Sequence, residues 1–484
     1  MKEKLKELSR DTAIYGISTI LSRFLSFILV PFYTQVFRPA EYGIITNVYA
    51  FIAFLNVVYL YGMDASYLKY ASVKEDNHRE IFSTPYLFVL ITSIIFSSLF
   101  VIFRLPFNDL ADIPSENISV SLYVLSILFF DALAVIPFAH LRLLRKAKKF
   151  ALIKTINIAV NVSLNLILIL VYNMGMEAVF ISNLAASVLT LILLLPDILA
   201  NLNLKVDSSI LRRMLRFGIP YLPAGLASMI IQVIDRPILL KLTDESTVGI
   251  YQANHKLGVF MMLFVSMFQY AWQPFFLNTA KEENAKEIFS KVLTYFILAG
   301  SIILVILSLF IEDLIKVKIF GRSIIAEEYW GGLYIIPVIL LAYLFNGIYV
   351  NFTAGIFIKE KTNMVPYITG AGALANIVIN YFLIPSMGML GSGFAILISY
   401  IVMAAGLFIV VSKHYPVNYE YGKIFRIALA VTIVAVLYYT ITDLTIAYKF
   451  LLLLLFMALL MIFNIINRRE LKGISTLILR RKPI

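Results

Sequence analysis

The sequence predicts an all-α integral membrane protein with about 14 transmembrane helices. They are expected to form two six-helix bundles related by a pseudo-two-fold axis along the membrane normal, followed by two extra helices. Three observations predict this. Of 484 residues, 61% are hydrophobic and 14% charged, against about 45–50% and about 25% in soluble domains, and the mean hydropathy is +0.88. Apolar runs long enough to cross a ~30 Å hydrocarbon core recur about every 30 residues. The pair Pro31 and Gly43 returns 206 residues later as Pro237 and Gly249, each pair ending one expected helix and beginning the next.

The first ten residues, MKEKLKELSR, read as a basic amphipathic segment lying on the membrane surface. The run after them is too long for a signal peptide and lacks a small-residue cleavage site, so no cleavable leader is expected. Spans are expected over 11–34, 44–68, 84–103, 118–141, 152–172, 178–200, 217–240, 247–277, 288–311, 330–357, 365–385, 390–412, 424–442 and 447–467. Tight turns at Gly175 and Gly388 join two of the pairs. An even number of spans puts both termini on one side. Roughly 31 of the 41 lysines and arginines fall on that side, which the positive-inside rule makes cytoplasmic. The loop LRLLRKAKKF (141–150) contributes most, whereas 108–117 carries Asp109, Asp112 and Glu116 with no base. A multi-pass protein of the cytoplasmic (inner) membrane with both termini cytoplasmic is expected.

The duplication runs further. Asn157, Asn161 and Asn165 sit at helical spacing before Met174-Gly175-Met176, and Asn376 and Asn380 before Met387-Gly388-Met389. Basic turns follow the fourth and tenth spans, at Arg145-Lys146 and Lys359-Glu360-Lys361. Matching spans are six apart, so the halves share one orientation. The expected domains are 1–205, an N-terminal six-helix bundle, then 206–415, a second one, then 416–484, two added helices and a basic tail.

No loop exceeds about 20 residues, so no soluble catalytic domain is present, and no phosphate loop, HExxH, EF-hand or GxSxG motif occurs. With no cysteine there are no disulfides or thiolate sites. The +12 net charge reports membrane orientation rather than nucleic-acid binding.

Charged residues inside spans carry the functional signal, because each costs at least ~2.5–3.5 kcal/mol at the bilayer centre. Arg23 lies mid-span in the first helix, Asp64 near the cytoplasmic end of the second and Asp131 mid-span in the fourth. Asp235 and Arg236 lie toward the outer end of the seventh, and His255 and Lys256 a few turns into the eighth. One reading is a cavity in which Arg23, Arg236 and Lys256 receive an anionic substrate, with Asp235 and His255 beside them. The other is structural ion pairing. Asp131 and Asp64 are candidates for ion coupling, Asp131 equally for a bond to a neighbouring helix. The asparagine series on one helix face suits interhelical hydrogen bonding. Prolines 31, 137, 220, 223, 237, 274 and 337 mark expected kinks or breaks.

FGIPYLPAGL (217–226), the Asp235-Arg236 pair, VGIYQANHKL (248–257) and WQPF (272–275) resemble the polysaccharide-transporter family. These are the Wzx-type flippases of the multidrug/oligosaccharidyl-lipid/polysaccharide (MOP) exporter superfamily. The resemblance covers essentially the whole chain. It implies no enzyme but alternating access, moving a polyprenyl-pyrophosphate-linked oligosaccharide from the cytoplasmic to the outer leaflet for cell-surface polysaccharide biosynthesis. Arg23 matches the cavity arginine of lipid II flippases in type and place, and Lys256 a frequent lysine after the G-I-Y motif. No cofactor is implied, and H+ or Na+ as the coupling ion stays open. Expected partners are the lipid-linked glycan, membrane lipids, and a glycan polymerase or glycosyltransferases, with no nucleic acid. The last two spans are expected to offer a groove for the polyprenyl tail. Rival readings are a drug or metabolite antiporter of the same superfamily, a polysaccharide polymerase or ligase, and a non-transporting wall-assembly factor.

Overall fold

The computed structural model describes residues 27, 29–71, 78–319, 321–441 and 445–465. They are helical almost throughout. Eleven of the described helices are long and apolar enough to cross a membrane, or twelve if one bent pair counts as a single span. The protein is therefore an all-α, multi-pass membrane protein. The first expected span lies mostly outside the described residues.

The chain divides into two compact units. The first comprises residues 1–259, 325–335 and 363–403. After helical residues 29–36 it holds α1 (Pro39–Leu60), α2 (Met63–Ala71), α3 (His78–Ile102), α4 (Arg104–Leu110), α5 (Ser119–Leu143), α6 (Ala147–Leu170) and α7 (Glu177–Asn201). It continues with α8 (Ser208–Gly218), α9 (Tyr221–Val233), α10 (Asp235–Leu242) and α11 (Glu245–Leu257). The second unit comprises 260–324, 336–362 and 404–484. Its helices are α12 (Val259–Thr279, from residue 260), α13 (Ala285–Lys316) and α14 (Ile336–Ile358). α15 (Val365–Met387) and residues 389–403 of α16 (Met389–His414) belong to the first unit. The end of α16, α17 (Tyr421–Thr440) and α18 (Ile446–Ile462) belong to the second.

Several expected spans are broken, each for a local reason. The second stops at Leu60, because Tyr61 and Gly62 take positive φ (35° and 76°) and the chain restarts as α2. A side chain at Gly62 would lie 2.5 Å from the Gly218 carbonyl oxygen, so this turn is also a close backbone contact. The seventh is α9 plus α10. Pro237 has no N–H for the Val233 carbonyl, which ends α9, and the chain resumes at Asp235. The eighth is α11 plus α12, meeting at Gly258. Pro137 and Pro274, by contrast, sit inside continuous helices.

Among the described helices, α8 is markedly amphipathic. Ile210, Met214 and Gly218 are buried on one stripe, and Arg212, Arg213 and Arg216 are exposed on the other. Asp207 caps it, accepting from the Ser209 and Ile210 backbone N–H groups.

In the second unit, Trp272 donates to the Asn351 carbonyl (3.2 Å) and packs on Phe268, Phe276 and Phe289. α18, shorter than a full span, is tied to α13 by Lys449 Nζ–Asp313 Oδ2 at 2.7 Å, with Lys449 buried. A two-residue-per-strand hairpin, β1 (Lys318–Ile319) with β2 (Arg322–Ser323), turns at Gly321.

Candidate functional site

The site is built around a helix crossing that the duplicated glycines make possible. α1 and α11 meet where Gly43 faces Gly249. A Cβ on Gly43 would sit 1.9 Å from the Glu245 carbonyl oxygen, and a Cβ on Gly249 1.9 Å from the Pro39 carbonyl oxygen. The contact is reciprocal and obeys the same 206-residue offset seen in the sequence (39 with 245, 43 with 249). Only glycine permits backbones this close.

Beyond the crossing the two helices line a cavity of about 370 Å³. α1 supplies Tyr42, Ile45, Thr46 and Tyr49, spaced as one helical face, and α11 supplies Gln252 and Lys256 one turn apart. Leu29, Val30 and Tyr33 precede α1, Arg236 comes from the first turn of α10, and Asn183 from α7. α6 gives Asn157, Ile158, Asn161 and Val162. Among the described lining residues two are cations, and none is an acid.

Arg236 is anchored by donation from one terminal nitrogen to the Thr46 carbonyl (3.3 Å), while its Nε has no partner. Lys256 makes no hydrogen bond or ion pair among the described residues and lines the cavity. Asp235, 1% exposed, points elsewhere. It accepts from Tyr251 OH at 2.6 Å, and its Oδ1 is unpartnered. The buried His255 ring lies 5.6 Å from the Tyr251 ring.

Tyr329 closes the crossing. Its hydroxyl donates to the Phe37 carbonyl (2.8 Å), its ring meets Tyr42 edge-on at 6.0 Å, and its carbonyl accepts from Asn254 Nδ2 (2.8 Å).

Of the residues singled out in the sequence, Arg236 and Lys256 thus share one cavity, with Asp235 and His255 packed beside it. Arg23 lies outside the described residues. Asp64 sits in the first turn of α2, where a carboxylate is favoured by the helix dipole, and is not among the lining residues. Asp131 also lies off the cavity, bonded to Ser187 with the Lys154 charge nearby.

Sequence reasoning missed the uncharged wall: Asn161, Asn183, Tyr49 and Gln252. The asparagines were read as interhelical bonds, and part of that holds. Asn157 Nδ2 donates to the Ala186 carbonyl (3.0 Å) and Thr190 Oγ1 (2.9 Å) on α7. That the same face opens on a cavity has no signal in helical spacing.

The fold is shared with solved transporters. It matches a lipid II flippase, MurJ, in an inward closed conformation with a TM-score of 0.74 and 17% identity, over 95% of this chain and 99% of that one. It also matches a multidrug resistance MATE family transporter of the MOP superfamily, inward-facing (TM-score 0.63, 15% identity, 81% and 94% covered). A third match is the Vibrio cholerae MATE transporter VcmN in a bent form (0.57, 12%, 84% and 96%). No curated protein sequence matches the chain. The family model described as "polysaccharide biosynthesis protein" matches residues 8–280, more than half of the sequence. The chain belongs to the polysaccharide biosynthesis protein family.

Proposed function

We propose that this protein is a flippase for a polyprenyl-pyrophosphate-linked glycan, carrying it from the cytoplasmic to the outer leaflet of the inner membrane by alternating access. The observation that carries the reading is a cavity with Arg236 and Lys256 in its wall and no acid among the described lining residues. A pyrophosphate loses its hydration inside a membrane, and buried cations replace it. At an effective dielectric of about 20, two opposite charges 4 Å apart attract by ~4 kcal/mol. That is enough to hold the headgroup and little enough to release it. A cationic drug would meet repulsion in the same place, which disfavours the antiporter reading.

Arg23 is proposed as a third cation on this path, and Asp131 as the first coupling carboxylate to test with H+ or Na+. The basic segments and both termini are placed in the cytoplasm on the charge bias alone, and a glycan polymerase or glycosyltransferases are the proposed partners.

The test is depletion of the protein in cells, followed by measurement of carrier-linked glycan in each leaflet. Accumulation on the cytoplasmic side, reproduced by Lys256→Ala and Arg236→Ala at normal membrane levels, is the expected result. Normal export by both variants would overturn the cationic-cavity mechanism.

A further inference from the structure

The cavity lining holds two chemical kinds of polar group, cationic and neutral, and only the cations are used by the reading above. We propose that Asn157, Asn161, Asn183, Tyr49 and Gln252 form a subsite that recognises an uncharged sugar next to the carrier phosphates. This inference rests on the flippase reading and names which part of the substrate the neutral wall reads.

The argument starts from where each polar group is already committed. Asn165, fully buried on α6, donates from Nδ2 to the Asn161 carbonyl (2.9 Å) and to Asn161 Oδ1 (3.1 Å). Its own Oδ1 accepts from Tyr33 OH (2.9 Å). Asn161 Oδ1 is thereby occupied, and its Nδ2 N–H groups are the part left for the cavity. Asn157 is the reverse: both N–H groups go to α7, which leaves its carbonyl as an acceptor. Asn183 Nδ2 donates to the Tyr49 hydroxyl (3.2 Å). The Tyr49 oxygen therefore accepts, and its proton is available to donate. Its ring is fixed by stacking on Phe180 (centroids 5.4 Å, 20° between planes). Gln252 is 1% exposed and lines the cavity, with its Oε1 unpartnered.

The wall thus presents donors at Asn161 and Tyr49 and acceptors at Asn157, Asn183 and Gln252, with Asn157, Asn161 and the Asn183–Tyr49 pair oriented by hydrogen bonds and Gln252 by burial. Sugar hydroxyls donate and accept, so a mixed neutral set suits them better than a set of one polarity. Tyr33 and Tyr42 add apolar ring faces to the same lining. Among the described lining residues the cations are Arg236 and Lys256, and with both on the phosphates a uronic acid on this wall would draw no counter-charge from them. Ligand cavities run from about 300 to 1,000 Å³, and about 370 Å³ suits the carrier-proximal end of the substrate rather than a long glycan.

The test uses the full chain in proteoliposomes with three probes: polyprenyl pyrophosphate bearing an N-acetylhexosamine, the same carrier bearing a hexuronate, and the bare polyprenyl pyrophosphate. The wild type is expected to move the N-acetylhexosamine probe at least about tenfold faster than the hexuronate probe. Asn161→Ala is expected to lower the ratio of sugar-bearing to bare-carrier rates about tenfold, equivalent to ~1.4 kcal/mol. Tyr49→Phe keeps the stacked ring, removes the hydroxyl that faces the cavity and accepts from Asn183, and should lower the same ratio about fivefold, which guards against a folding defect in the first variant. Lys256→Ala should slow all sugar-bearing and bare probes and leave the ratio as it was. Equal rates on neutral and acidic sugars, or an unchanged ratio in both wall variants, overturns the subsite while leaving the flippase reading intact. Movement of no probe by the wild type overturns both.

Discussion

In α6, Asn165 donates to the Asn161 carbonyl at 2.9 Å and to its side-chain oxygen at 3.1 Å; in α15, Asn380 donates to the Asn376 carbonyl at 2.9 Å and to its side-chain oxygen at 2.8 Å. The two motifs are copies in geometry and differ in surroundings. Asn161 faces a cavity and is part-exposed, whereas Asn376 and Asn380 are fully buried, with Asn376 Nδ2 and Asn380 Oδ1 unpartnered. Duplication reproduces the local bond and leaves its use to the neighbours. The cavity shows the same pattern: at the 206-residue offset, Val30 stands where Arg236 does and Ala50 where Lys256 does. Among the described lining residues both cations come from the second repeat, and those of the first are all uncharged.

The largest effect is expected where the copies remain equivalent. Gly249→Ala and Gly43→Ala each put a methyl 1.9 Å from a carbonyl oxygen, a clash with backbone that no rotamer relieves. Each should cost at least ~3 kcal/mol and reduce folded protein recovered by size-exclusion chromatography in detergent. Gly175→Ala, with nothing within 4 Å, is the matched control and should be neutral. Losses that differ widely between Gly43→Ala and Gly249→Ala would break the picture of a reciprocal crossing.

The duplication behind that crossing was legible in the sequence, since Gly43 and Gly249 keep the 206-residue offset, but the contact itself was not: the spacing marks the repeat and not which backbones meet. Arg236 and Lys256 were legible because a buried charge is too costly to be incidental. The uncharged wall was not. Asn161 and Asn376 look alike in sequence, and which helix face meets a cavity depends on partners that arrive more than a hundred residues away, such as Arg236 against Thr46. The break at Pro237 was legible from its missing N–H, whereas the break at Tyr61-Gly62 was not, since hydropathy registers side chains and not backbone dihedrals.

The next effect separates the copies. Asn376→Ala removes the side-chain acceptor of Asn380 in a fully buried site, and should cost about 1–2 kcal/mol of thermal stability. Asn161→Ala opens onto the cavity, where water can satisfy the groups it frees, and should cost under about 0.5 kcal/mol. Equal destabilisation by the two would mean that Asn161 is as sealed as its copy, and the contrast between the repeats would fail.

The smallest effect tests how the open copy is held. Tyr33→Phe keeps the ring packed against Tyr42, 6.1 Å away, and deletes only the hydroxyl that donates to Asn165 Oδ1. Interhelical bonds of this kind contribute about 0.6 kcal/mol in a membrane, so the melting temperature should hardly move. Asn165, however, is then free to rotate its carboxamide, and Asn161 loses the bond that sets its orientation. The expected signature is a modest fall in glycan transport with unchanged stability, measured on one preparation. A fall in stability with transport intact would make Tyr33 part of the helix packing alone, and would leave Asn161 oriented by α6 without help from the residues before α1.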